Sequence, residues 1–162
     1  MNIEYRSLLP HESRIYRTIR LESLKKFPES FGANYEEALQ TEKFKLEYDI
    51  ENQRNERFVI GAFSDGELIG ICAFVKEEDN AGHIYQMYIK ENFQGKNIGY
   101  GLIQAVVEEA NNRSNSTEIV LEVTHSNIKA YQLYKKFGFK EVAKNTQEKE
   151  TDSNIVMVYG RS

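Results

Sequence analysis

The chain has 162 residues, 40% of them apolar and 28% charged, an ordinary globular balance sufficient for a single domain over residues 1–162 with a sizeable core. Its net charge of −4 argues against a nucleic-acid partner, which needs a basic surface, and leans only mildly toward a cationic one. No apolar stretch approaches the ~20 residues that span a bilayer, the N-terminus carries no signal-peptide pattern, and the single Cys72 allows no internal disulfide, so a cytoplasmic protein without a membrane partner is expected.

Ile3 to Leu8 reads as a first strand. Pro10 opens a helix to about Lys26, with Ile15/Ile19 and Leu21/Leu24 at helical spacing. Pro28 stops it, and Pro28 to Ala33 is a turn. A second helix is expected over Tyr35 to Ile50, with Leu39, Leu46 and Ile50 on one face. Arg57 to Phe63 and Glu67 to Val75 are strands joined by Ser64-Asp65-Gly66, a hairpin signal. Cys72, in the second of these, reads as a buried small apolar residue.

Glu77 to Ala81 is a polar turn, followed by an alternating strand from Gly82 to Ile89. A helix then carries Leu102, Ile103, Val106, Val107 and Ala110 on one face. Glu118 to Thr124 is a strand, Ser126 a plausible N-cap for a helix to about Lys136, and Gly138 its end. Phe139 to Ala143 and Asn154 to Tyr159 are final strands. The order β α α β β β α β α β β predicts an α/β (α+β) fold: a mixed, largely antiparallel sheet with helices on both faces.

Between the strand and helix that flank it, Gln94 to Gly101 reads Gln-Gly-Lys-Asn-Ile-Gly-Tyr-Gly. The first turn of a helix has N–H groups without intrahelical partners and a positive dipole end. A glycine-rich approach brings those donors close to an anion, so the segment predicts a pyrophosphate-bearing ligand. A dinucleotide-binding fingerprint fits poorly, because Gly95, Gly99 and Gly101 have the wrong spacing, and no Gly-Lys-Ser/Thr supports a Walker loop.

Two segments together carry a family resemblance: Met87-Tyr-Ile-Lys-Glu-Asn-Phe-Gln-Gly-Lys-Asn-Ile-Gly99 and Leu121-Glu-Val-Thr-His-Ser-Asn-Ile-Lys-Ala-Tyr-Gln-Leu-Tyr-Lys-Lys-Phe-Gly-Phe139. They resemble the acetyl-CoA-binding and catalytic segments of the GCN5-related N-acetyltransferases, whose element order matches nearly the whole chain. The loop departs from the family pattern once, with Asn97 where glycine is usual, and asparagine tolerates unusual backbone angles.

The resemblance implies an N-acetyltransferase using acetyl-CoA. Met87, Tyr88 and Ile89 would hydrogen-bond the pantetheine arm, with a bulge aiming one N–H at the thioester carbonyl. Gln94, Gly95, Lys96, Asn97, Ile98, Gly99 and Tyr100 would cradle the pyrophosphate through their N–H groups; the Lys96 side chain reads equally well as a surface lysine. A Cβ at Gly99 is expected to crowd that phosphate. Asn127 would contact the cofactor, cap its helix, or do both.

Tyr134, about two turns later on the same helix face, would protonate the departing thiolate, since a phenol stays protonated at neutral pH; Tyr131 leans to another side. Glu122 sits on a partly buried strand face, where a raised pKa is expected, and would deprotonate the acceptor ammonium. Its setting resembles the protein N-terminal acetylating branch of the family. His125 is a competing base, and His83 reads as packing. Glu29, Glu36 and Glu37 flank the region that lines the acceptor site in this family and read first as helix N-terminal acids.

Direct transfer in a ternary complex is expected, as no nucleophile–base pair appears, and no metal spacing is present. The acceptor is an amine, a small molecule or a protein N-terminus, and a homodimer stays open. The alternatives are a non-catalytic acyl-CoA-binding sensor and an interaction domain without a ligand.

Overall fold

The Asp65-Gly66 pair takes φ of 49° and 82°, the turn geometry whose twist matches a right-handed strand pair. It joins β2 (Arg57–Ser64) to β3 (Glu67–Lys76): Ser64 lies opposite Glu67 and Phe63 opposite Leu68, a bulge at Ile69 then shifts the register by one, and pairing runs on from Ala62 opposite Gly70 to Arg57 opposite Val75. The computed structural model describes residues 2–27, 34–113, 118–142 and 154–160. Around the hairpin, β1 (Ile3–Ser7) adds beside β2, and β4 (Gly82–Ile89) adds antiparallel to β3. Next come β5 (Ile119–Thr124), β7 (Asn154–Tyr159) and β6 (Lys140–Glu141), giving the seven-stranded order β1-β2-β3-β4-β5-β7-β6. The β4–β5 pair alone is parallel among the described strands.

Helices cover both faces. On one, α4 (Ile98–Arg113) buries Leu102, Ile103, Val106 and Ala110 against Ile60, Cys72, Ile84 and Leu121; α5 (Ile128–Phe137) lies beside it. On the other, Tyr16 and Ile19 of α1 (Ser13–Lys26) and Leu46 and Ile50 of α3 (Lys45–Glu51) pack on Val59, Phe63, Ile71 and Tyr88. That second layer reaches β4 and contains no residue of β5.

Several expectations need correction. The buried stripe of α1 is Tyr16, Ile19, Arg20, Ser23 and Leu24, whereas Ile15 is 42% exposed. The expected helix from Tyr35 to Ile50 is two, α2 (Tyr35–Gln40) and α3, and Leu39 is 45% exposed. Arg17 explains the break: its guanidinium donates to the Thr41 carbonyl at 2.6 Å and to the Glu42 carbonyl at 3.4 Å, satisfying backbone groups that a continuous helix would have used, and it pairs with the Glu47 carboxylate at 3.0 Å. Glu47 also accepts from the Phe44 N–H, which starts α3 afresh. Asn127 rather than Ser126 caps α5, its Oδ1 accepting from the Ala130 N–H at 3.2 Å. Asn154–Tyr159 forms the expected last strand, whereas the strand expected from Phe139 is only Lys140–Glu141, with Phe139 and Val142 outside it; Ala143 and the turn from Pro28 to Ala33 lie outside the described residues. No described helix is long and apolar enough to cross a membrane.

Candidate active site

The site begins where β4 loses its regular pairing on both edges. Against β3, Ile71 pairs with Tyr88 and Ala73 with Tyr85, so Cys72 faces two residues, Gln86 and Met87. This is a β-bulge, and Gln86 takes φ 59° within it. The buried Tyr16 hydroxyl donates to the Gln86 side-chain carbonyl at 2.6 Å and holds the bulge from the α1 side. Against β5, the parallel ladder consists of Gly82 with Ile119 and His83 with Val120. Beyond these pairs the strands part, and a cleft of about 1220 Å³ opens between Ile84–Ile89 of β4 and Val120–Thr124 of β5. Ordinary small-molecule sites occupy about 300–1,000 Å³, so this one suits a long ligand.

One end of the cleft is the loop into α4. Gly95 and Asn97 take φ of 78° and 62°; the asparagine adopts the left-handed conformation itself, so its departure from the usual glycine leaves the turn intact. The Gln94 side chain donates to the Ile89 carbonyl at 2.9 Å, fastening the loop to the end of β4. Gln94, Gly95, Asn97, Ile98, Gly99 and Tyr100 line the cleft. Lys96 does not; its ammonium lies 5.8 Å from the Phe93 ring centre. The N–H groups of Ile98, Gly99 and Tyr100 open α4 and give the cleft a donor-rich, electropositive end.

Gly99 also has a packing reason. A Cβ there would meet Leu133 Cδ2 at 3.0 Å and Ile89 Cδ1 at 3.4 Å, so the close approach of α4 to α5 and β4 leaves little room for a side chain. Gly101 likewise keeps clear of Tyr5, whose hydroxyl would lie 2.3 Å from an added Cβ.

The wall formed by α5 brings in Asn127, Leu133 and Tyr134. Tyr134 is 7% exposed, its ring edge-on to Phe139 at 5.9 Å, and among the described residues nothing hydrogen-bonds its hydroxyl. Burial, with a smaller contribution from nearby Cys72, pushes its pKa above the ordinary phenol. Cys72 is fully buried, and burial pushes its thiol up as well. Tyr131 turns away, donating to Glu141 at 3.0 Å.

Met87 and Ile89 line the cleft from the α4 side of β4, while Tyr88 faces α1 and donates to Glu22 at 2.5 Å. Glu122 also lines the cleft, with Asn154 donating to it at 3.5 Å. It is exposed rather than half-buried: Ile119, Leu121 and Val123 turn to the α4 side, and the helical layer on Glu122's own face stops at β4. His83 is more than packing. It lines the cleft, bonds Asp79 at 2.9 Å, and stacks on Tyr85 with ring centres 6.0 Å apart. His125 is exposed in the turn before α5 and does not line the cleft.

Glu36 and Glu37 occupy the first turn of α2, where the dipole favours acids; Glu29 lies outside the described residues. Sequence reasoning missed Arg20, Tyr85 and Gln86. The signal for Arg20 was a charge one turn after Tyr16 on the apolar stripe of α1, visible only once that stripe is drawn through Tyr16 instead of Ile15.

The model of the acetyltransferase (GNAT) family matches residues 24–139. The spermine/spermidine N(1)-acetyltransferase of Bacillus subtilis is 26% identical over 88 residues, covering 50% of this chain and 58% of that protein. The N-alpha-acetyltransferase of Sulfurisphaera tokodaii is 41% identical over 61 residues, covering 38% of this chain and 36% of that protein. The chain thus spans about half the length of these curated relatives. The PaiA N-acetyltransferase of Thermoplasma acidophilum, solved in complex with coenzyme A, matches with a TM-score of 0.76 over 99% of this chain and 100% of that one, at 24% identity, a likeness of fold.

Proposed function

This chain belongs to the acetyltransferase (GNAT) family, and we propose on that premise that it transfers an acetyl group from acetyl-CoA to a primary amine in a ternary complex. The observation that carries the reading is the parting of β4 from β5 beyond His83 and Val120, beside the N-terminus of α4. It produces one continuous cleft with anion-binding donors at one end and a buried phenol in its wall. Bound there, acetyl-CoA would supply an activated acetyl thioester.

The residues divide the work. The N–H groups of Ile98, Gly99 and Tyr100 bind the diphosphate, with the turn at Gly95 and Asn97 shaping the approach. The β4 edge from Met87 to Ile89, freed from β5, hydrogen-bonds the pantetheine arm and directs one N–H at the thioester carbonyl. Asn127 caps α5 through Oδ1, leaving its amide N–H groups for the same arm. Glu122 takes a proton from the acceptor ammonium, directly or through water, as the new N–C bond forms. Tyr134 gives its proton to the sulfur as the C–S bond breaks. The acceptor is an amine, borne by a small molecule or a protein N-terminus.

Calorimetry with coenzyme A and a free-thiol assay across an amine panel test the reading together. Micromolar binding with amine-dependent thiol release is expected; absence of binding at millimolar coenzyme A overturns it. Glu122→Gln is expected to lower kcat/KM about a hundredfold and to reshape the pH–rate profile. A profile identical to that of the unaltered protein would assign proton removal to His125 or to water.

A further inference from the structure

Beside the cleft lies a second cavity, of about 630 Å³, walled by α1, α2, α3 and by residues of the inner strands β2, β3 and β4. The two cavities share three residues, Arg20, Tyr85 and Gln86. A molecule that fills the second cavity and reacts in the cleft must therefore pass them. Arg20 is 8% exposed, on the sheet-facing stripe of α1, one turn after the Tyr16 that anchors Gln86. Burial lowers its pKa, and neighbouring Tyr16 partly offsets the effect.

The other charges around this cavity are differently disposed. Arg57 is held by Asp49 at 2.6 Å. Glu77 accepts from the Tyr85 hydroxyl at 3.2 Å, and Glu37 and Lys45 are exposed at the rim. Of the charged residues lining the second cavity, Arg20 is the one that also lines the cleft, and it is buried. Glu122 is close enough to Tyr85 that its charge helps push that phenol up to about 12, after burial and Glu77. Arg20 thus stands where the two cavities meet, Glu122 lines the cleft alone, and Glu77 lines the second cavity beside Tyr85.

We propose that the acceptor is an amino carboxylate, its carboxylate received by Arg20 and its amine turned toward Glu122 and the cleft. The inference deepens the proposed function and rests on it. A guanidinium presents parallel N–H donors that fit a carboxylate, and burial strengthens the pairing by excluding water. The same charge repels the trailing ammonium of a polyamine held in the second cavity.

The test compares each of several amino carboxylates with its own amide as acceptor, in the full chain with acetyl-CoA. The expected result is a kcat/KM at least tenfold higher for the carboxylate, expressed chiefly in KM, as a charge-assisted hydrogen bond gives. In Arg20→Gln the carboxylate-to-amide ratio should collapse toward one, and Arg20→Lys should restore part of it. Coenzyme A binding by both variants, measured by calorimetry, reports that they fold, and a merely structural arginine would not move the ratio. Equal rates on acid and amide, preferred acetylation of polyamines, or an unchanged ratio in Arg20→Gln would overturn the assignment and leave the acetyltransferase reading standing. Binding of coenzyme A without acetylation of any amine would overturn both.

Discussion

Replacing Tyr134 with Phe is expected to lower kcat by about a hundredfold or more while coenzyme A binds within about twofold of its normal affinity. The substitution removes one oxygen and no ring contact, so the edge-on packing against Phe139 survives. It should not destabilise the fold either. No described group hydrogen-bonds the hydroxyl and Tyr134 lines the cleft, so its removal breaks no hydrogen bond to a described residue and leaves no buried group unpaired. A hydroxyl kept for stability would give the opposite pattern, a lower melting temperature with the rate preserved. The pH dependence gives a second check. Burial raises the Tyr134 pKa, so its proton remains in place to a higher pH than on an ordinary phenol of pKa ~10. The rate should therefore show no loss from Tyr134 ionisation as the pH rises to that value. A tyrosine-dependent fall below it, or an unchanged rate in Tyr134→Phe, would remove the proton-donor role.

The half of the proposed site built by the loop into α4 and by α5 was more legible in the sequence than the proposed acceptor half, and the reason is local. Gln94 to Gly101 and Asn127 to Tyr134 each lie within one short segment, where spacing alone sets the geometry: a turn, a helix start, a shared helix face. The Asp65-Gly66 hairpin is legible on the same ground, since the turn chemistry sets the register. The acceptor side depends on contacts between distant elements. Glu122 looked half-buried because its strand neighbours are apolar, but its exposure is decided by how far α1 and α3 extend across the sheet. The break at Thr41 depends on Arg17, a residue of another helix. Even the three loop glycines, alike in sequence, serve differently: Gly95 makes the left-handed turn, while Gly99 and Gly101 admit Leu133 and Tyr5.

That division makes Gly99 the most exacting probe of the cofactor end. In Gly99→Val the Cβ alone would stand 3.0 Å from Leu133 Cδ2 and 3.4 Å from Ile89 Cδ1, and two further methyls must fit on a helix already pressed against both. Relief requires α4 to move from α5 or from the end of β4, and all three elements line the cleft. Overpacking of this kind costs about 1–3 kcal/mol, which for a chain of this size lowers the melting temperature by roughly 2–12 °C. Coenzyme A affinity is expected to fall a hundredfold or more, because the N–H groups of Ile98 to Tyr100 would be carried away from the diphosphate with the helix. Gly99→Ala separates packing from helix position: its single carbon meets only the tip of Leu133 closely, and a rotamer change there would absorb it, leaving affinity within about fivefold. Isothermal calorimetry on the two variants reads the difference. Near-normal affinity in Gly99→Val would mean that the start of α4 does not hold the ligand, and the diphosphate would have to be sought elsewhere along the cleft.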